Sequence, residues 1–515
     1  ERVGATAAIN VRPISTGVAG AVPVEAILRQ HPKTQGQKPK TKELRLTNGW
    51  LTVDGRLLIG GQRDMTWWRG NVHPQRAPEF GANVTRFAPG RTGPGLTDDL
   101  NALTDEMVAQ GHAGLRHHWG LWYDRRRDDH EMMRRTDPDV WPPFYEQPWA
   151  RTGTGRAWNG LSRYDLTKFN PWYFTRLREF AALCEQKGLL FVNAMYFQHN
   201  IIESGAHWVD FPWRPVNNVN GTGFTEPPPF TGDTIKMADE FYDVTHPVRR
   251  RLHRLYIRHC LDNLAADPNV LHVTGEEFTG PLHFMRFWVD EVAKWRADTR
   301  KRVLIGLSAP KDVQDAILAD PKRSAQINAI DFKYWWQTDK GLFAPPGGRS
   351  LSPRQEERKF SGGRPSDLNL AQMAAEYRAH YPAKAVLCDF HQAGWAFVCA
   401  GGSVPNLPRT TDARLLAAIP GMTPWLVGNG RRAVPEAPTD QQWALREPGR
   451  SYLIHAASGS EVKIDLNRES GTFAVNVVNP NTGAVIPHGE RVEAGRIVTL
   501  KKPSEGRVTL WLRRE

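Results

Sequence analysis

From about residue 46 to 410 two patterns of apolar positions alternate along the chain. Short apolar, often β-branched runs that end in polar groups are separated by stretches with apolar residues three and four apart. The first pattern predicts buried strands over residues 114–122, 188–196, 270–280, 302–308, 327–336 and 384–391. A hairpin over 50–59, turning at Asp54-Gly55, feeds a strand ahead of them. The second pattern predicts helices over 98–109, 172–184, 248–265, 284–298 and 369–380. In the first of these Leu100, Leu103 and Met107 share a face, Thr97 stands at the N-cap and Gly111 ends the run. A short apolar segment and turn over 395–405 supply an eighth unit.

Repeated β-α units of this number predict an α/β fold, a (β/α)8 TIM barrel with long loops. A doubly wound sheet is the alternative, and no glycine-rich phosphate loop follows the first strand to favour it. After residue 443 the strands become short, alternating and punctuated by turns, with no helical period between them, which predicts a small all-β sandwich. The expected organisation is therefore an extended N-terminal arm over 1–45, a catalytic barrel over 46–430 and a C-terminal sandwich over 431–515. A chain that begins Glu-Arg-Val-Gly reads as a mature form, with a secreted or periplasmic location expected.

Composition changes this picture in three ways. No stretch approaches the ~20 apolar residues of a membrane helix. The net charge of +12 suits a polyanionic partner, but Lys and Arg are spread along the chain instead of gathered in a basic helix or tail, so nucleic acid is not expected and an acidic polysaccharide fits equally well. The 19 Trp are abundant, and sugar rings stack their C–H faces on such surfaces, although core packing uses Trp too. Cys184, Cys260, Cys388 and Cys399 show no C-x-x-C spacing and read as buried thiols.

In a barrel the catalytic groups stand where strands end at the C-terminal face. The predicted strand ends carry Arg116, His117, His118 and Trp119, then Gln198, His199 and Asn200, then Glu276 and Glu277, then Lys333, Tyr334, Trp335 and Trp336, and finally Asp389 and His391. Glycoside cleavage commonly uses two carboxyls, one to protonate the leaving oxygen and one to act as nucleophile or activate water. Glu277 or Glu276 with Asp389 is the natural pair. Asp331, placed near the entry of its strand, is expected to be structural. Candidate sugar contacts are Trp67, Trp68, Arg116, His118, His199, Asn200, Trp208, Tyr334, Trp335 and His391. Since His117 and His118 are adjacent on a strand, at most one faces the barrel mouth. The histidine spacing matches no ligand motif, so neither a metal nor another cofactor is expected.

Gly275-Glu-Glu-Phe278 after the fourth strand resembles the clan of retaining TIM-barrel glycosidases, which place Gly-Asn-Glu there and a nucleophile at the end of the seventh strand. Asp54-Gly-Arg-Leu-Leu-Ile-Gly-Gly-Gln-Arg-Asp-Met-Thr-Trp-Trp68 is similar to the opening of the apiosidase-like branch of polysaccharide-degrading proteins. Ser460-Glu-Val-Lys-Ile-Asp-Leu466 and Asn479-Pro-Asn-Thr-Gly-Ala-Val485 resemble the collagen-binding-type β-sandwich that follows such barrels. The resemblance implies Glu277 as acid/base, Asp389 as nucleophile and Tyr334 as its hydrogen-bond donor. Glu276 stands where the clan has Asn, and Asp389 where it usually has Glu, so Glu276 remains a catalytic candidate.

The expected function is a retaining, exo-acting glycoside hydrolase on plant, algal or microbial polysaccharide. The long loops 123–165 and 201–245, with Trp141, Trp149, Trp158, His207, Trp208, Trp213, Arg214, Asn217 and Asn218, would form its pocket wall. A non-catalytic carbohydrate-binding protein and a lyase acting on uronates are the other readings. The sequence is silent on the oligomeric state.

Overall fold

The computed structural model describes residues 41–63, 99–118, 147–197, 208–226, 230–231, 234–235, 237–276, 278, 280–332, 337–338, 341–342, 366–388, 393–425, 442–503 and 505–515. The expected N-terminal arm lies mostly outside them.

The chain first folds as a three-stranded meander of β1 (Leu44–Thr47), β2 (Trp50–Val53) and β3 (Arg56–Leu57). Asn48-Gly49 and Asp54-Gly55 turn it with positive φ, a backbone region that Asn, Asp and Gly tolerate best. The barrel begins with β4 (Gln62–Arg63) and continues through α1 (Leu100–Gln110) to β5 (Gly114–His117). Asp99, rather than the expected Thr97, caps α1 by accepting from the Ala102 N–H, and Gly111 closes it in the left-handed region. A hairpin missing from the sequence reading follows, β6 (Trp149–Arg151) with β7 (Tyr164–Phe169).

Next come α2 (Pro171–Lys187), β8 (Leu190–Phe197), α3 (Pro247–Asn263), β9 (Val270–Glu276) and α4 (Leu282–Thr299). They are followed by β10 (Leu304–Leu307), α5 (Lys311–Leu318), β11 (Ala329–Asp331), α6 (Asp367–His380), β12 (Ala385–Leu387) and α7 (Trp395–Cys399). The predicted strands are thus present but shorter than the apolar runs suggested, and α5 went unread.

Seven strands form one all-parallel sheet in the order β12, β11, β10, β9, β8, β5, β4. Each strand lies beside its predecessor in the chain, with no reversal of order, as a barrel requires and a doubly wound sheet does not. The eighth position belongs to residues 402–406. Gly402 bridges Val386 in parallel, and the Ser403 N–H donates to the Val386 carbonyl. On the other side the Gly60 N–H donates to the Pro405 carbonyl at 2.8 Å, beside β4. The ring is closed, and the fold is the predicted TIM barrel.

Facing follows from the packing. Leu190, Val192, Ala194, Leu271, Val273, Ala329, Ala385 and Leu387 form the lumen cluster, whereas Leu115, Phe191, Ile305, Leu307, Ile330 and Val386 belong to the cluster under the helices. Leu44, Leu51 and Leu58 of the meander join the lumen cluster and plug the N-terminal end of the barrel. Asn269, fully buried just before β9, ties plug to barrel. Its Oδ1 accepts from the Leu44 N–H at 2.8 Å, and its Nδ2 donates to the Leu189 and Lys42 carbonyls.

The C-terminal region is a sandwich. A six-stranded antiparallel sheet contains β13 (Thr423–Trp425), β14 (Gln442–Glu447), β15 (Ser451–Ala456), β17 (Thr472–Val478), β18 (Val485–Glu493) and β20 (Val508–Arg514). Facing it are β16 (Glu461–Asp465) and β19 (Ile497–Lys501), paired with each other. Tyr452, Ile454 and Ala456 pack against that second sheet, while Leu453, Trp443, Leu445 and Trp511 pack into the barrel's helical core. Strands β14, β15 and β20 of the large sheet are therefore buried and fix the sandwich to the barrel.

Two stability measurements test this description. Asn269→Leu strands the Leu44 N–H and the Leu189 carbonyl without partners, so the urea midpoint should fall by the equivalent of about 1–3 kcal/mol per orphaned group. His117, His253 and His272 are fully buried, and burial holds each neutral, with pKa lowered from 6.5 to about 3. Below pH 6.5 the unfolded chain binds protons that the native chain refuses, so this contribution is intact above pH 6.5 and is lost as pH falls toward 3. Between pH 7 and 5 the midpoint should drop with an uptake of about three protons from these side chains, and His117→Phe should remove about one of them.

Candidate active site

With the N-terminal end plugged by apolar side chains, the C-terminal end of the barrel is the face left for chemistry. Three described residues place buried polar groups on it. Arg116 stands third in β5, Ser308 directly follows β10, and Asp331 is the last residue of β11. All three are buried.

Asp331 corrects an expectation. The sequence placed it near a strand entry because the apolar run seemed to extend to Trp336; β11 ends at Asp331, which puts its carboxylate at the mouth. Asp331 is in register with Leu387 and follows Ala329 by two, so it belongs to the inward series. Its Oδ2 accepts a hydrogen bond from Arg116 Nη2. In the ring β5 is the second strand and β11 the sixth, so this ion pair crosses the lumen between opposite sides of the barrel. Two charges this deep are stabilised by offsetting each other. Arg116, expected as a sugar contact, has this structural bond as well.

The two histidines of β5 part company as expected of neighbours on a strand. His117 faces the helices, in edge contact with Tyr173 and Phe191. His118 stacks on Phe197 at the end of β8, with ring centroids 4.5 Å apart and planes 16° apart. It is 2% exposed.

β9 delivers the acidic turn. Its backbone runs through Glu276, which is in register with Phe197 of β8. Directly after it Phe278 is fully buried against Tyr242 and Phe284. Gly280 makes this possible, since a Cβ there would lie 2.6 Å from the Phe278 ring and 2.9 Å from Tyr242. Pro281 then caps α4. Beyond the end of β9, Phe278 thus serves as an aromatic anchor and Pro281 as a helix start.

Trp141 and His207 of the expected pocket wall lie outside the described residues, and the described part of that wall is largely core. Trp149, Trp208 and Trp213 are at most 1% exposed, and they pack against one another's neighbours Phe211, Phe224, Phe241 and Tyr256. Asn217 and Asn218 spend their amides on the carbonyls of Val209, Phe211, Pro212 and Trp213, and Arg214 forms a two-bond pair with Glu226. Eight Trp side chains are fully buried and account for a large share of the tryptophan content that had suggested a sugar cleft.

Glu277, Asp389, Trp67, Trp68, His199, Asn200, Tyr334, Trp335 and His391 lie outside the described residues, and Glu276 is placed only as the end of β9. Among the described residues no group of three His, Cys, Asp or Glu could hold a metal ion, and no helix is long and apolar enough to cross a membrane. Ser308 escaped the sequence reading. A count of two from Leu304 through Gly306 would have placed it on the inward series.

A family model described as a domain of unknown function (DUF6298) matches residues 6–422. Among solved structures the chain is similar to a glycoside hydrolase at 9% identity and a TM-score of 0.48, covering 92% of this chain and 97% of that one. It is similar to a glycoside hydrolase family 5 protein from Bacteroides vulgatus at 10% identity and a TM-score of 0.48, covering 92% and 94%. It is also similar to an alfa-galactosidase from Saccharomyces cerevisiae at 9% identity and a TM-score of 0.41, covering 90% and 98%. No curated protein matches.

The anchor under the acidic turn is testable. Gly280→Ala forces the Phe278 ring out of its seat, which should cost about 1–3 kcal/mol of stability as overpacking. Urea denaturation of the variant should show the loss, with Phe278→Leu/Gly280→Ala recovering part of it.

Proposed function

The chain belongs to the DUF6298 family, and we propose that it is a glycoside hydrolase acting on a polysaccharide or oligosaccharide, with Glu277 as acid/base and Asp389 as nucleophile. The observation that carries this reading is β9. It is the fourth strand of a closed parallel barrel, and it ends in Glu276 at the C-terminal face, opposite the plugged end. That face is where a barrel assembles catalytic groups from several strand ends. Leu271 and Val273 of β9 face the lumen, so the strand leads from the lumen core to the C-terminal face. The resemblance of Gly275-Glu-Glu-Phe278 to the retaining clan supports the same assignment, and that of Asp54–Trp68 to the apiosidase-like branch supports a polysaccharide-degrading role.

The chemistry asked of the two carboxyls is double displacement. Asp389 attacks the anomeric carbon while Glu277 protonates the departing oxygen; Glu277 then takes a proton from the water that releases the sugar. A carboxyl separation of ~5–5.5 Å goes with retention and ~6.5–9.5 Å with inversion.

Glu277→Gln and Asp389→Asn should each lower kcat on the best substrate by about 100-fold or more while leaving the melting temperature unchanged. Hydrolysis of a panel of neutral and acidic oligosaccharides, followed by proton NMR of the anomeric centre, is the measurement. Near-wild-type turnover in both variants overturns the assignment, and an unsaturated product absorbing in the ultraviolet would identify a lyase instead.

A further inference from the structure

Among the described residues, two oxygen atoms in the barrel mouth find no hydrogen-bond partner. The Oγ of Ser308 and the Oδ1 of Asp331 are both buried and unsatisfied, and both residues are 1% exposed. They come from neighbouring strands. Gly306 is in register with Ala329, and Leu307 with Ile330; one further step sets Ser308 beside Asp331. Both continue inward series, Ser308 from Leu304 and Gly306, Asp331 from Ala329. Strands in a sheet stand about 4.8 Å apart, so side chains in the same row are close enough to share one small group. On the other flank of Ser308, the register of Leu271 with Leu304 carries the row to Gly275, which adds no side chain.

A buried hydroxyl or carboxylate oxygen without a partner is unfavourable, and such positions persist where a ligand completes them. The donor set defines the ligand. A carboxylate oxygen only accepts, so the incoming group must donate, and a serine hydroxyl can donate back to the same group. Asp331 already has its charge balanced by Arg116 through Oδ2, so a neutral donor fits better than an ammonium. A hydroxyl meets all three requirements, donating to Asp331 Oδ1 while accepting from Ser308.

We propose that Ser308 and Asp331 form a hydroxyl-reading floor in the barrel mouth, which selects the substrate by one ring hydroxyl of the sugar. The proposal rests on the glycoside hydrolase reading for the nature of its ligand. It assigns the two residues to specificity, apart from the carboxyls that perform the cleavage. A site of this kind discriminates strongly against a ligand lacking the hydroxyl, because two buried oxygens are then left unpaired.

Ser308→Ala is the decisive variant, because it removes an unpaired oxygen and leaves the Arg116–Asp331 pair intact. Asp331→Asn is the supporting one, and its folding is checked first because it disturbs a buried ion pair. Binding of D-glucose, D-galactose, D-mannose, D-xylose, L-arabinose and D-glucuronate is measured by isothermal titration, with the melting temperature recorded in parallel. The floor predicts that Ser308→Ala weakens the sugar bound by wild type about 3- to 10-fold with no loss of melting temperature, in line with one neutral hydrogen bond. A deoxy analogue of that sugar at the position read should bind wild type and Ser308→Ala alike. Equal affinity of wild type and Ser308→Ala for the parent sugar overturns the floor and leaves the hydrolase reading standing. So does Glu277-dependent hydrolysis by a protein that binds none of the six sugars. Neither binding nor hydrolysis overturns both.

Discussion

Ring closure is the constraint from which the other features follow. Residues 402–406 accept and donate backbone hydrogen bonds to Val386 on one side and Gly60 on the other, joining the last strand of the sheet to the first. An open sheet of these strands would leave two edges and two equivalent faces. Closed, it has an inside, an outside and two unlike ends. Only in the closed form does Arg116 of β5 meet Asp331 of β11, four positions away around the ring.

The two ends are then made different by side chains. Leu44, Leu51 and Leu58 close the N-terminal end with hydrocarbon, and Asn269 fastens the plug through its amide. At the other end the lumen turns polar, with Arg116, Ser308 and Asp331. Charge at that depth requires a partner, and the cross-lumen pair supplies it while leaving one carboxylate oxygen over. Nearby β9 ends at Glu276, and Phe278 packs against Tyr242 and Phe284 in a seat that Gly280 leaves open.

The tryptophans show how composition misleads without packing. Trp149, Trp208 and Trp213 come from segments that looked like a pocket wall, yet they fill the space where the β6–β7 hairpin lies on α3. The amides of Asn217 and Asn218 hold the same segment by its own carbonyls. Aromatic and amide side chains suit a sugar and a folded loop for the same physical reason, and sequence alone does not separate the two uses.

By itself the sequence determined the barrel, the glycine stops of α1 and α2 and the strand β9 that ends in Glu276, because these depend on local period and glycine stops that act within a few residues. It also announced the sandwich through its change of period. Which side each strand presents was decided by the tertiary structure. β8 is buried along its whole length on both faces, so its apolar run has no alternation from which to read a direction. The same gap hid Ser308 and misplaced Asp331, since only strand pairing showed that β11 stops at residue 331 and turns that carboxylate from a strand entry into the mouth of the barrel.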